Sequence, residues 1–193
     1  MRFISHFFYE DDVFKMKEIF YYAAIEEHVE QIRFTPIDLE VHASLANCYV
    51  SLARVYLNAK QIIDNKGKRK KRRYENYFEQ KFQLSSLRAI EELNIINDYA
   101  PNDPWVHAQL AQCYHSLEMK KNEAQEYEKI LEISGKDQEV KFRLAKIYFQ
   151  MGKNAKALKI YEKLRLKRYK NADSLLNYYN SANISELFDE INI

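Results

Sequence analysis

Apolar residues recur three and four positions apart along most of the chain, a spacing that predicts amphipathic helices. The punctuation between these runs places helices near Asp12–Phe34, Leu39–Asp64, Lys70–Tyr99, Pro104–Glu118, Asn122–Ile133, Asp137–Met151, Asn154–Arg168 and Ala172–Tyr179. Asp38 and Asp103 stand where N-caps belong. Pro104 follows at the first helical position, where a missing N–H costs nothing. Gly135 and Gly152 suit helix C-termini, which favour a left-handed residue.

The pattern repeats itself, and two periods are present. A shift of 65 residues lays Ala24–Leu52 on Ala89–Leu117 with 15 identities in 29 positions. The matches include Ala24-Ile25-Glu26-Glu27 on Ala89-Ile90-Glu91-Glu92, Val41-His42-Ala43 on Val106-His107-Ala108, and Cys48-Tyr49 on Cys113-Tyr114. A shift of 34 residues lays Leu110-Ala111 on Leu144-Ala145, Tyr114 on Tyr148, and Tyr127-Glu128-Lys129 on Tyr161-Glu162-Lys163.

The longer period exceeds the shorter by 31 residues, and this excess is patterned as helix. Leu45, Tyr49, Leu52, Tyr56, Ala59 and Ile63 form one stripe, and Tyr74, Phe78, Phe82, Ala89, Leu93 and Ile96 form a returning one. Both helices of that repeat are therefore expected to be lengthened by about four turns, roughly 20 Å, with Asn65-Lys66-Gly67 as the tip turn. Segment Asp12–Phe34 reads as a second helix that lacks its own first helix.

On Leu144, Ala145, Tyr148, Gly152, Ala157 and Tyr161, and less fully on Asn122-Glu123-Ala124 through Tyr127, the chain resembles the tetratricopeptide repeat family. His42, His107 and Lys141 stand where the family usually carries an early Trp, and Trp105 lies two residues before His107. The resemblance covers roughly Ala24–Leu166 and implies an all-α, right-handed solenoid of antiparallel helix pairs. About three repeats are expected, with a partial N-terminal repeat and a C-terminal capping helix. As one domain, the chain divides into a partial repeat at 1–37, an extended hairpin at 38–103 with its basic tip at 65–73, repeats at 104–137 and 138–171, and a cap at 172–193.

Composition narrows this picture. With 3 Gly and 3 Pro in 193 residues, the turn chemistry of a β-sandwich, a barrel or a phosphate loop is missing. Net charge is +2, yet Lys66, Lys68, Arg69, Lys70, Lys71, Arg72 and Arg73 gather positive charge at one place. Cys48 and Cys113 lie far apart, so no disulfide framework is expected, and a reducing cytoplasm is the simplest location. No apolar run approaches the ~18–20 residues needed to cross a bilayer, and Met1–Tyr9 is too short for a signal peptide.

The resemblance implies a ligand-binding concave face lined by first helices. Projected onto this chain, that lining is Glu40, Ala43, Asn47, Val50 and Ser51; Trp105, Ala108, Gln112, His115 and Ser116; and Glu139, Phe142, Lys146, Phe149 and Gln150. A mostly uncharged lining with aromatics suits a peptide or protein with apolar anchors, although Trp105, Phe142 and Phe149 equally suit packing between repeats. Some relatives clamp a C-terminal carboxylate in this groove; Asn47 and Arg143 would fit such a clamp, but Ala43 and Glu139 stand where lysines are expected.

The basic run, Lys68, Arg69, Lys70, Lys71, Arg72 and Arg73 in particular, suits nucleic acid or an anionic surface, or a solvated tip. His42 with Cys48 and His107 with Cys113 share a six-residue spacing that puts the two side chains on different helix faces, so duplicated core positions explain them better than a metal site. The tail Ile184-Ser185-Glu186-Leu187-Phe188-Asp189-Glu190-Ile191 suits a cap or a partner motif. Nucleophile arrangements, metal helices and phosphate loops are absent, and no cofactor is expected. The expectation is a non-enzymatic, cytoplasmic, chaperone-like scaffold or adaptor. Its alternatives are a polyanion binder acting through the tip and a self-assembling structural element.

Overall fold

The computed structural model describes residues 2–66 and 71–179, with side chains over 12–61 and 76–179. Among the described residues every regular element is helical: α1 Arg2–Phe34, α2 Leu39–Lys66, α3 Lys71–Tyr99, α4 Pro104–Ser116, α5 Lys120–Ser134, α6 Gln138–Gln150 and α7 Asn154–Leu166. A 3₁₀ turn at Ala172–Ser174 leads into a helical turn over 175–179. The fold is an all-α repeat of helix pairs. Lys68, Arg69 and Lys70, Gly67 of the tip turn, and the tail from Ile184 to Ile191 lie outside the described residues.

The caps fall where side chains can supply them. Asp103 accepts from the Trp105 amide at 2.9 Å, and Asp38 accepts from the Glu40 amide at 3.0 Å. Asp137 does the same for α6, accepting from Glu139 N at 2.9 Å and Val140 N at 3.1 Å. Gly135 closes α5 at φ 61, and Gly152 turns the chain after α6 at φ 69. Glu118 takes the same left-handed conformation in the α4–α5 turn at φ 57, where the following repeat has Gly152. Helix α1 runs back to Arg2 rather than starting near Asp12, since no Pro or Gly interrupts the intervening sequence.

The chain forms two compact units, Met1–Pro101 and Asn102–Ile193. In the first, α2 and α3 make a long antiparallel hairpin with α1 packed along α2. Leu45, Leu52 and Tyr56 of α2 are buried with Phe78, Phe82, Ala89, Leu93 and Ile96 of α3, the two stripes expected from the sequence. Helices α2 and α3 have 28 and 29 residues against 13 and 15 for α4 and α5, so each leg is about four turns longer.

The second unit stacks α4 on α5, α5 on α6 and α6 on α7, with the 3₁₀ turn on α7. Its core joins Leu144, Ala145, Tyr148 and Phe149 of α6 to Tyr127 and Ile130 of α5, Ala157 and Leu164 of α7, and Ala172 and Leu175 beyond.

Candidate partner-binding face

The first helices of the second unit each present a polar outer row. On α4, Trp105, Ala108, Gln112, His115 and Ser116 are exposed at helical spacing, while Val106, His107, Leu110 and Ala111 turn inward. Trp105 keeps 39% of its surface in solvent, so its ring is a half-open anchor. His115 Nδ1 lies 3.0 Å from Glu123, whose carboxylate is buried beneath it. That contact fixes the imidazole on the α4–α5 surface.

On α6 the corresponding row is altered by the chain's own C-terminal segment. Phe149 is 0% exposed and meets the Tyr179 ring at 5.8 Å between centroids. Phe142 packs on Tyr169 at 5.7 Å, and the Lys146 ammonium sits 5.0 Å from the centre of Tyr178. Phe149 is therefore a core residue and not an open groove position, because residues 169–179 lie on this part of α6. Phe142 and Lys146 are half-buried by the same segment, while Glu139, Arg143 and Gln150 remain exposed.

Arg143 donates to Glu139 at 2.8 Å, and the Tyr169 hydroxyl donates to the other Glu139 oxygen at 2.6 Å. The Tyr169 hydroxyl and the Arg143 guanidinium hold the Glu139 carboxyl below its usual range. Glu139 and Tyr127 in turn hold the guanidinium of Arg143 firmly protonated. Its charge is thus already matched within the unit.

In the first unit, Asn47 is exposed on α2 and Val50 is half-buried. The side chains of Lys71, Arg72 and Arg73, in the first turn of α3, fall outside the described residues.

The duplicated histidines are buried, His42 at 3% and His107 at 2% exposed. Each meets a carboxylate from the second helix of its pair, His42 Nδ1 to Glu92 at 2.6 Å and His107 Nδ1 to Glu126 at 2.7 Å. Glu92 and Glu126 are 34 residues apart, one repeat period, and that spacing is the signal in the sequence that identifies them as equivalent partners. The imidazole–carboxylate pair takes the place of the early Trp found in related repeats. Cys113 is buried nearby on α4, and burial pushes its thiol up to about 11, which keeps it protonated and unreactive.

Burial opposes protonation of His42, but the Glu92 hydrogen bond, the Pro36 carbonyl at 3.1 Å from Nε2, and the charges of Glu92 and Asp38 outweigh it and raise its pKa above 6.5. The folded state then holds this proton more tightly than the unfolded chain. Its stabilising contribution is complete below the unfolded value of 6.5 and is lost as pH climbs through the raised folded value. Urea titrations from about pH 6 to pH 8.5 are expected to show stability falling more steeply in the wild type than in His42→Gln. Equal slopes would remove the contribution.

This arrangement defines a helical-repeat protein whose polar outer rows carry the half-open ring of Trp105. Residues 106–137 match one tetratricopeptide repeat family model and residues 124–176 match another. The chain belongs to the tetratricopeptide repeat family, whose members are protein-interaction modules, and it is an interaction scaffold in that general sense.

Among solved structures, the chain is similar to MamA, at 14% identity over 88% of this chain and 91% of that one, with a TM-score of 0.50. It is also similar to TTC0263, a thermophilic TPR protein in Thermus thermophilus, at 20% identity over 88% of this chain and 76% of that one, with a TM-score of 0.49. No curated protein matches the chain. Among the described residues, no helix is long and apolar enough to cross a membrane.

Proposed function

We propose that the second unit captures a peptide or protein segment on the exposed row of α4, with Trp105 as the apolar anchor and Gln112 and His115 as polar contacts. The supporting observation is the exposure of Trp105 beside a row of hydrogen-bonding side chains on a first helix of a tetratricopeptide repeat. Half-open aromatics with adaptable polar neighbours are the usual energetic centres of such surfaces. Arg143 adds a cation whose charge Glu139 already matches, so the row favours a neutral, apolar-anchored segment over a terminal carboxylate. The adaptor works by holding its partner, and no step of chemistry is assigned to it.

Trp105→Ala is expected to weaken capture of a bound partner by about ten-fold or more, as truncation of an aromatic anchor does. The melting temperature should move little, because the ring is partly in solvent. Parallel pull-down and circular dichroism measurements check this. Loss of folding together with capture would assign Trp105 to packing, and retained capture would sink the proposal.

A further inference from the structure

The outer face of α1 carries an apolar stripe that the repeat does not account for. Met16, Ile19 and Phe20 are 71%, 68% and 67% exposed, and with exposed Ala23 they stand at i, i+3, i+4 and i+7. They lie on the side of the helix away from α2, which is met instead by Phe14, Glu18 and Tyr22 through Tyr56.

The stripe is not the trace of a missing first helix. Under the 65-residue shift, the buried Phe82, Leu93 and Ile96 of α3 correspond to Lys17, His28 and Gln31, so α1 is polar where a first helix would pack. The outer positions change in the opposite sense: Lys81 and Arg88 of α3 correspond to Met16 and Ala23. A face that is charged on α3 is apolar on α1.

Both ends of this face are acidic. Asp12 lies one turn before Met16, and Glu26, Glu27 and Glu30 follow Ala23, all exposed. Glu30 shares its charge with Arg33 at 2.8 Å, and Glu27 accepts from Gln31 at 3.2 Å. Lys15 and Lys17 sit roughly a quarter turn or more to either side of the stripe.

We infer that the outer face of α1 docks an amphipathic helix of another protein, one with three or four apolar anchors on one face and Lys or Arg at both ends. Charge complementarity selects this occupant. A second copy laid antiparallel over the stripe brings Asp12 against Glu27 of its mate, and an anionic membrane meets the same carboxylates. This inference involves different residues and a different unit from the α4 row, so the two stand or fall separately.

The probe is a synthetic helix of about 20 residues, long enough for the stripe and both acidic ends, with Leu at i, i+3, i+4 and i+7 and Lys at each end. A second peptide carries Glu in place of Lys. By fluorescence anisotropy the Lys-ended peptide should bind the full chain at least about ten-fold tighter than the Glu-ended one, with a preference that shrinks as salt is raised. Ile19→Ser and Phe20→Ser should each weaken it about ten-fold with helicity and melting unchanged. In Asp12→Lys/Glu27→Lys the order of the two peptides should reverse; if that variant loses helicity, the salt dependence in the wild type carries the same comparison.

Equal affinity for the two peptides, no binding of either, or binding that survives Ile19→Ser and Phe20→Ser would overturn the inference. So would a concentration-dependent dimer that Phe20→Ser disperses, which would give the face to a second copy. Capture of phosphatidylserine vesicles that Phe20→Ser abolishes would give it to a membrane and overturn the inference equally.

Discussion

Phe149→Ala is expected to destabilise the second unit by ~3–5 kcal/mol, the range for truncating a fully buried phenylalanine. The ring has no solvent-exposed surface and is covered by Tyr179, in a cluster with Ala145, Tyr148, Ala172 and Leu175. Removing it leaves a cavity between α6 and the C-terminal turn, so the loss combines transfer energy with contacts that cannot reform. Phe149→Leu, which keeps most of the volume, should cost much less. Urea unfolding of the three proteins gives the numbers. A loss below about 1 kcal/mol for the alanine variant would mean that the ring is not held in a closed core, and would return it to the outer row.

The next largest effect is expected at Glu126. Its carboxylate is 7% exposed and partners His107, itself 2% exposed. Glu126→Ala leaves a buried imidazole nitrogen without that acceptor, at ~1–3 kcal/mol. Lys129, at 3.2 Å from the same carboxylate, is half in solvent, and its lost ion pair adds little. A double-mutant cycle with His107→Ala isolates the pair, with a coupling of ~0.5–3 kcal/mol expected for side chains in direct contact. A coupling near zero would show that the two residues are buried independently. Glu126→Gln keeps an acceptor oxygen and should fall between wild type and alanine.

Much of the fold was legible because its determinants are local. Helical spacing, the aspartates at 38 and 103, and the glycines at 135 and 152 mark elements within a few residues of where the structure has them. The lengthened hairpin was equally visible, since its two stripes continue in phase along α2 and α3. The site was less legible. Repeat register tells which side of α6 Phe149 occupies, but not that Tyr179 comes to lie on it, because that contact depends on where the chain returns after α7.

The buried pairs were half visible. Duplication exposed His42 and His107, whereas their carboxylates lie 50 and 19 residues away and are brought close only by helix packing. On α1 the helical pattern was plain, but a stripe of apolar residues looks the same in sequence whether it is buried or bare. Only the position of α2 distinguishes Ile25, at 9% exposure, from Phe20, at 67%.

The stretched pair α2 and α3 also bears on how such arrays change length. Four turns of helix take ~14 residues and return each side chain to nearly its starting angle, so a segment of that size can be spliced into both legs without rotating what lies on either side. A splice of two or five residues would swing the oily seam to the wrong side. Helical phase therefore permits growth or shrinkage of this hairpin only in whole-turn steps, and its reach can vary while the neighbouring pairs keep their alignment.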